Sequence, residues 1–463
     1  MPTANISKSL SDKELLEKDA KYCSWGDTVH YNDPAKIFRR CEGSFVYDEN
    51  DVPYMDVQMW HSACNFGYKN KRIENAVIDQ IKFLPQLGAQ FINESKVLLS
   101  EKIAKHNIDK FGLEGRLHYN VGGAQANEDA IKLIRNYTHK SKMFAFMGSY
   151  HGRTLGTSCL TSSYRYRKNY GNFADRAEFV PYPYCYRCHY GKNCQDCDFY
   201  CVKQFEKNFA SEYNSFIDKK TGETEYVAFF VEPVQGTGGY IVPPKGYFKE
   251  LKKVLDKYNI LMVADEIQMG FYRAGKLWSI ENFGVKPDVI TFAKSLTNAM
   301  SSLSGFWARE ELVNPTTFPP GSTHSTFSSN PMGTRAGLEV MNICEEPGFE
   351  EAVAERGRKY LEGLKYLKSK HKTIGNVDGI GLALRLEITE EDGITPNRAL
   401  TEKINAEGLK GDLEYNGKKC GLVLSAGGYF KNVFTLAPSL FVTDEEINMT
   451  IDLLDQLFRR FER

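Results

Sequence analysis

The chain has no apolar run approaching the ~20 residues that a bilayer-spanning helix needs, which excludes a helical membrane protein. It has no charge of one sign: 59 basic side chains balance 59 acidic ones, for a formal net charge of zero. That balance removes the electrostatic case for a nucleic-acid or membrane-surface partner. The first residues, MPTANISKSLSDKELLEKDAKYC, are polar and mixed in charge, without the apolar core of a secretory signal. There is no internal repeat, no low-complexity linker and no dinucleotide-binding glycine fingerprint. What remains is an ordinary globular composition, with 42% hydrophobic and 25% charged residues over 463 positions. A chain of that length buries a large core and divides into two or three subdomains.

Ser11, followed by Asp12 and Glu14, predicts a capped surface helix. Residues 45–56 predict two short strands around a turn at Asp48–Asp51, and residues 74–104 a helical stretch broken near Pro85. From 118 to 300, short apolar runs alternate with helical periods. The runs are MFAFMG (143–148), AEFVPY (177–182), YVAFFVEP (226–233), ILMVADE (260–266) and DVITFA (288–293). Helices are expected at 125–138, 246–258 and 332–345. Apolar strands separated by helices indicate a parallel sheet covered on both faces. Beyond about residue 347, charged helical stretches at 348–370 and 444–462 flank strand-like segments at 381–387, 421–424 and 432–436. This pattern fits a smaller α+β domain.

Three segments carry chemistry. In VGGAQANEDAIKLIR (121–135) glycines precede a helix, leaving backbone N–H groups of Gly123, Ala124 and Gln125 free for a phosphate. In ILMVADEIQMGFYRAGKLW (260–278) an apolar strand ends in Asp265 and Glu266, where open α/β sheets bind ligands. A buried acid there needs a cationic partner such as a protonated ring nitrogen; a helix N-cap is the plainer use. In PDVITFAKSLTNAM (287–300) a buried strand ends in Lys294. A desolvated lysine loses its proton readily and becomes a nucleophile; otherwise it snorkels to solvent. Each segment alone has an ordinary explanation. They occur in a fixed order, 141 residues (124 to 265) and 29 residues (265 to 294) apart.

With those motifs, and above all VADEIQMGFYRAGKLWSIENFGVKPDVITFAKSL (263–296), the chain resembles the class III, or ω-, aminotransferases of the fold-type I pyridoxal-phosphate enzymes. The likeness runs from about residue 40 to the C-terminus. It implies a large α/β domain with a mostly parallel, seven-stranded sheet at 76–340, interrupted by a cysteine-rich insertion at 183–203. A small α+β domain would come from 1–75 and 341–463. It implies pyridoxal 5′-phosphate carried on Lys294, with Asp265 on the ring nitrogen and Gln268 near the ring oxygen. Ile267 and Tyr150 would hold the two ring faces, and Gly123 and Ala124 the phosphate. Thr326 would reach across a homodimer interface, and Glu232 would help accommodate two substrates. Amino-group transfer from an ω-amino acid, diamino acid or amine to a keto acid such as 2-oxoglutarate or pyruvate would follow, in ping-pong order. Racemisation or epimerisation of amino acids, also found in the family, is the alternative. The chain departs from the family at Thr435 and Asp378, where relatives often carry arginine, and at GGAQ in the phosphate loop. Arg153 is the expected carboxylate ligand, and Trp60, with His61 and Tyr186, lies on the expected pocket wall.

Eleven cysteines without an export signal fit a reducing cytoplasm. Cys23, Cys41, Cys64, Cys159, Cys344 and Cys420 are scattered, as expected of small buried hydrophobes. The rest fall in CYRCHYGKNCQDCDFYC (185–201), where Cys185, Cys188, Cys194 and Cys197 have the spacing of a tetrahedral metal site. Reduced cysteines packed at a subunit interface are the other explanation.

Overall fold

The computed structural model describes residues 10–462 except 27–29, 32, 172, 174–176 and 214. Its centre is a seven-stranded sheet. In spatial order the strands are Gly115–Asn120, Ser304–Arg309, Val289–Phe292, Leu261–Asp265, Tyr226–Val231, Lys142–Phe146 and Glu178–Val180. The last five run parallel, whereas Ser304–Arg309 is antiparallel to both its neighbours. Alternate residues of each strand enter opposite cores. Met143, Ala145, Phe230 and Val263 pack with Ile131 and Ile134 of the helix Gly123–Thr138. Phe144, Phe229, Met262 and Ile290 pack with Leu251 and Leu255 of the helix Tyr247–Lys257. Both faces are thereby covered, which is why these strands read as unbroken apolar runs.

The other segments form two small sheets. The strands Phe45–Tyr47 and Pro53–Asp56 make the expected hairpin, and Pro53–Asp56 then pairs in parallel with Lys418–Val423. N-terminal and C-terminal stretches therefore share one sheet, through Tyr54 opposite Gly421. The second small sheet has the order Ile374–Ile380, Ala383–Ile388, Val433–Leu436 and Ala426–Gly427. Long helices at Phe349–Lys370 and Asp444–Arg459 pack together beside it. Ser11 caps the helix Asp12–Tyr22, with Glu14 closing a capping box. The stretch broken near Pro85 resolves into helices Lys71–Phe83 and Glu94–Phe111. Elements not anticipated include the strands Ser304–Arg309 and Ile374–Ile380 and the helices Tyr200–Lys207 and Arg398–Gly408, the last capped by Asn397. Among the described residues no helix is long and apolar enough to cross a membrane.

The scattered cysteines divide. Cys64, Cys159, Cys344 and Cys420 are buried as expected, but Cys23 is exposed and Cys41 only partly covered. Cys23 lies just past the helix Asp12–Tyr22, which buries no residue, so no core was available to receive its thiol.

Candidate active site

A cavity of about 650 Å³ opens at the carboxyl ends of the parallel strands. Its walls include Trp60, Gly123, Ala124, Tyr150, Arg153, Glu232, Asp265, Ile267, Gln268 and Lys294. Segments up to 243 residues apart in sequence (60 to 303) are brought to one place.

Lys294 follows the strand Val289–Phe292 and opens a short 3-10 turn, Lys294–Thr297, with φ of 43°. A left-handed lysine is strained by roughly 1–2 kcal/mol. Burial pushes its amine below the ordinary lysine value, although the charges of Asp265 and Glu232 act in the opposite direction. Asp265 ends the neighbouring strand, directly opposite Thr291. Its Oδ2 accepts from Nδ2 of Asn127 at 2.9 Å and lies 2.7 Å from Nδ1 of His151. Oδ1 accepts from the Ile267 amide at 3.1 Å. Burial acts to lower the His151 pKa, but the hydrogen bond and charge of Asp265 outweigh it and hold the imidazole above its ordinary value.

His151 and Asn127 converge on Asp265, and sequence reasoning passed over both. The YHGRT segment points to Tyr150 and Arg153, and nothing in the motif pattern singles out Asn127. The available signal was a histidine and an asparagine beside two chemical motifs, both polar where the surrounding pattern demands burial. Glu266 behaves differently from its neighbour Asp265. It is fully buried, and its oxygens accept from Ser279 N, Ser279 Oγ and Ile280 N, capping a 3-10 turn away from the cavity.

Glu232 lies one residue beyond the strand Tyr226–Val231, its Oε1 and Oε2 accepting from the amides of Tyr150 (3.0 Å) and Gly236 (2.9 Å). Burial pushes its carboxyl up to about 7. The helix Gly123–Thr138 begins with Gly122 as an N-cap that has no side-chain cap bond, so its first amides face the cavity unpaired. Gly152 fits tightly behind this loop. It has φ of 128°, and a Cβ there would come within 2.6 Å of Ala124 Cβ. A carboxylate, an amine and a row of open amides in one cavity match the ring nitrogen, aldehyde and phosphate of pyridoxal 5′-phosphate, so these residues fit that cofactor.

Trp60 stands on an unusual turn. Met59, Trp60, His61 and Ser62 have φ of 43°, 54°, 53° and 65°. Asp56 Oδ1 anchors the turn by accepting from the amides of Gln58 and Met59 at 2.8 and 2.9 Å. At its far end Ser62 O accepts from Ser295 Oγ, next to the lysine, and Ser62 Oγ lies 3.3 Å from the Tyr240 hydroxyl. That hydroxyl in turn accepts from Gln268 Nε2 at 3.1 Å. Local strain of this kind persists where the surroundings over-determine it.

Thr326 is exposed and does not line this cavity. Thr435 and Asp378, the two departures from the family pattern, flank Arg385 in one cross-strand row. Arg385 is buried, with Nη2 donating to the Tyr184 hydroxyl and to Glu387. The guanidinium thus stands on the middle strand rather than on either outer one.

The expected metal site finds no support in the geometry. Among the described residues no group of three or more His, Cys, Asp or Glu side chains stands together in a way that could hold a metal ion. Cys185 is instead bonded to Cys194, while Cys188, Cys197 and Cys201 are free. That pairing takes two of the four proposed thiolate ligands and is at odds with a chain kept wholly reduced.

The fold and the cavity define an enzyme built around a strand-end lysine, a strand-end acid and a helix N-terminus. Residues 28–458 match the family model described as aminotransferase class III, and the chain belongs to that family. It is 30% identical to the taurine–pyruvate aminotransferase of Bilophila wadsworthia over 471 residues, covering 97% of this chain and 98% of that one. It is 28% identical to the leucine/methionine racemase of Thermococcus litoralis over 446 residues, or 96% and 95% of the two chains. In fold it is similar to a taurine:2-oxoglutarate aminotransferase from Bifidobacterium kashiwanohense, solved in complex with PLP and glutamate. That likeness has a TM-score of 0.85 at 24% identity, over 98% of this chain and 99% of the other. The protein is an aminotransferase of class III.

Proposed function

We propose that this enzyme moves an amino group from an ω-amino acid, diamino acid or amine to a keto acid, 2-oxoglutarate or pyruvate, in ping-pong order through Lys294. The observation that carries the assignment is a partly buried amine, its pKa lowered by desolvation, in one cavity with Asp265. Pyridoxal 5′-phosphate, when bound, supplies a ring that withdraws electrons from the substrate carbon. Asp265, braced by His151 and Asn127, holds a fixed negative charge for the ring nitrogen. The first amides of the helix at Gly123 and Ala124 hold the phosphate. Tyr150 and Ile267 close over the ring faces, and Gln268 stands beside Tyr240. The Lys294 amine takes the proton from the substrate carbon and returns it elsewhere on the same framework. Arg153 grips a substrate carboxylate, Glu232 meets the donor's other end, and Trp60 limits substrate size.

The active unit is a homodimer. Phe83, Phe91, Ile92, Leu155 and Phe327 are exposed by 65–85%, which leaves large apolar side chains for a partner to cover. Phe327 adjoins Thr326, which supplies a phosphate contact to the partner. The large domain at 76–340, with the segments on either side forming the small one, is the division proposed for the chain, and the cytoplasm is its compartment. Spectral change on adding an amine donor alone, recovered by 2-oxoglutarate or pyruvate, tests the transfer; a protein without bound vitamin B6 would refute it. Racemisation is the second reading, favoured by the similarity to the Thermococcus litoralis racemase. Loss of optical rotation of an amino acid without any keto acid would establish it in place of transfer.

A further inference from the structure

A second cavity, of about 320 Å³, lies apart from the first. All five clustered sulfurs line it, together with Tyr182, Tyr184, Tyr190 and Tyr200. Cys185 and Cys194 are joined, and the three partly buried thiols of Cys188, Cys197 and Cys201 share the same space. A disulfide beside free thiols, open to a cavity, is the arrangement thiol–disulfide exchange requires. One hydrogen bond joins its wall to that of the active site. The Tyr182 hydroxyl donates to the carbonyls of Glu232 (3.1 Å) and Pro233 (3.0 Å), and only two residues separate Tyr182 from Cys185.

We propose that the 185–201 loop is a thiol–disulfide exchange site for a dithiol reductant, and that Tyr182 transmits its redox state to Glu232. The nucleophile is Cys188 or Cys197, each spaced three residues from one member of the bonded pair. Cys201 is the poorest thiolate of the three, because burial pushes its thiol up to about 11. In the internal step the Cys188 thiolate bonds to Cys185 Sγ as the Cys185–Cys194 bond breaks. Cys194 leaves as a thiolate and takes up the proton that Cys188 gave up, so no electrons are gained or lost. In full reduction an external dithiol gives two electrons and two protons to the pair and closes as its own disulfide.

The test uses the full-length holoenzyme, prepared without reductant. Free thiols are alkylated with N-ethylmaleimide and mapped by peptide mass, before and after dithiothreitol, then again after glutathione disulfide. Cys185 and Cys194 should be protected at first, alkylated after reduction, and protected once more on reoxidation. Cys188→Ser and Cys197→Ser are compared, and the variant that removes the attacking thiol should slow reduction about tenfold. Immediate alkylation of all five cysteines would overturn the site. So would protection that dithiothreitol leaves intact and a chelator removes with one equivalent of zinc. For the transmitted effect, keto-acid KM should change about fivefold between oxidised and reduced enzyme. It should not change in the Cys185→Ser/Cys194→Ser variant. Equal KM in both redox states, with exchange intact, would refute the link to Glu232 and leave the aminotransferase assignment untouched.

Discussion

Two buried ionic clusters in this molecule look alike on composition and differ in access. One groups Lys294, Asp265, His151 and Glu232 around the cavity at the sheet edge. The other groups Arg385, Glu387, Arg187 and Tyr184 beneath the small sheet, where the Glu387 oxygens accept from both arginines. In the first, the amine and the carboxylates face space that a ligand can fill. In the second, charge meets charge inside packed protein. A buried pair enclosed by protein organises structure, whereas charges kept at the wall of a cavity are available for chemistry.

The sharpest way to break this comparison is to remove the central group of the open cluster. Lys294→Ala should lower kcat at least about 10⁴-fold, since it deletes the proton-transferring amine. Its thermal unfolding midpoint without cofactor should hold or rise, because the change removes an amine whose charged form burial disfavours. A variant turning over like the parent would end the comparison. In the closed cluster, Glu387→Leu should destabilise the protein by about 3–5 kcal/mol in urea unfolding, leaving two arginines without their shared acid. A change below about 1 kcal/mol would show that water reaches the guanidinium groups.

Smaller effects sharpen the account of the open cluster. His151→Asn should lower kcat by about 10²-fold with little change in KM, because the histidine positions Asp265 rather than touching substrate. Equal losses in His151→Asn and Asp265→Asn would place the two in one unit. Glu232 provides the mildest test. Its carboxyl is raised from an ordinary 4.5 to about 7, so it is neutral below that pH and anionic above it. KM for a keto acid should therefore rise as pH increases through about 7, as charge appears beside an anionic substrate. Glu232→Gln should flatten that rise. The folded state holds a proton that the unfolded chain releases, so this group's contribution to stability is lost between about pH 4.5 and 7.

Much of the site was legible in the chain because strand ends announce themselves. Uninterrupted apolar runs stopping at Asp265 and just before Lys294 indicate burial and its limit in a few residues. The five parallel strands of the sheet follow from the same runs, and its count of seven came from the resemblance. Ser304–Arg309 escaped notice because SGFWAR lies outside the strand–helix alternation and packs antiparallel between two strands. His151 and Asn127 escaped because their role comes from convergence on one oxygen of Asp265, across 114 and 138 positions. Which cysteines meet was not legible for a related reason. Spacing shows which sulfurs can meet, but side-chain direction selects which two of them pair.

From sequence alone came the class of protein, the lysine, its partner acid and the phosphate loop, because local burial pattern and motif spacing carry that information over short distances. Tertiary structure alone decided that Asp265 serves the cavity while Glu266 caps a turn, since successive side chains of a strand point to opposite faces. It also decided that Arg385 stands between Thr435 and Asp378, because cross-strand register exists only once the sheet has formed.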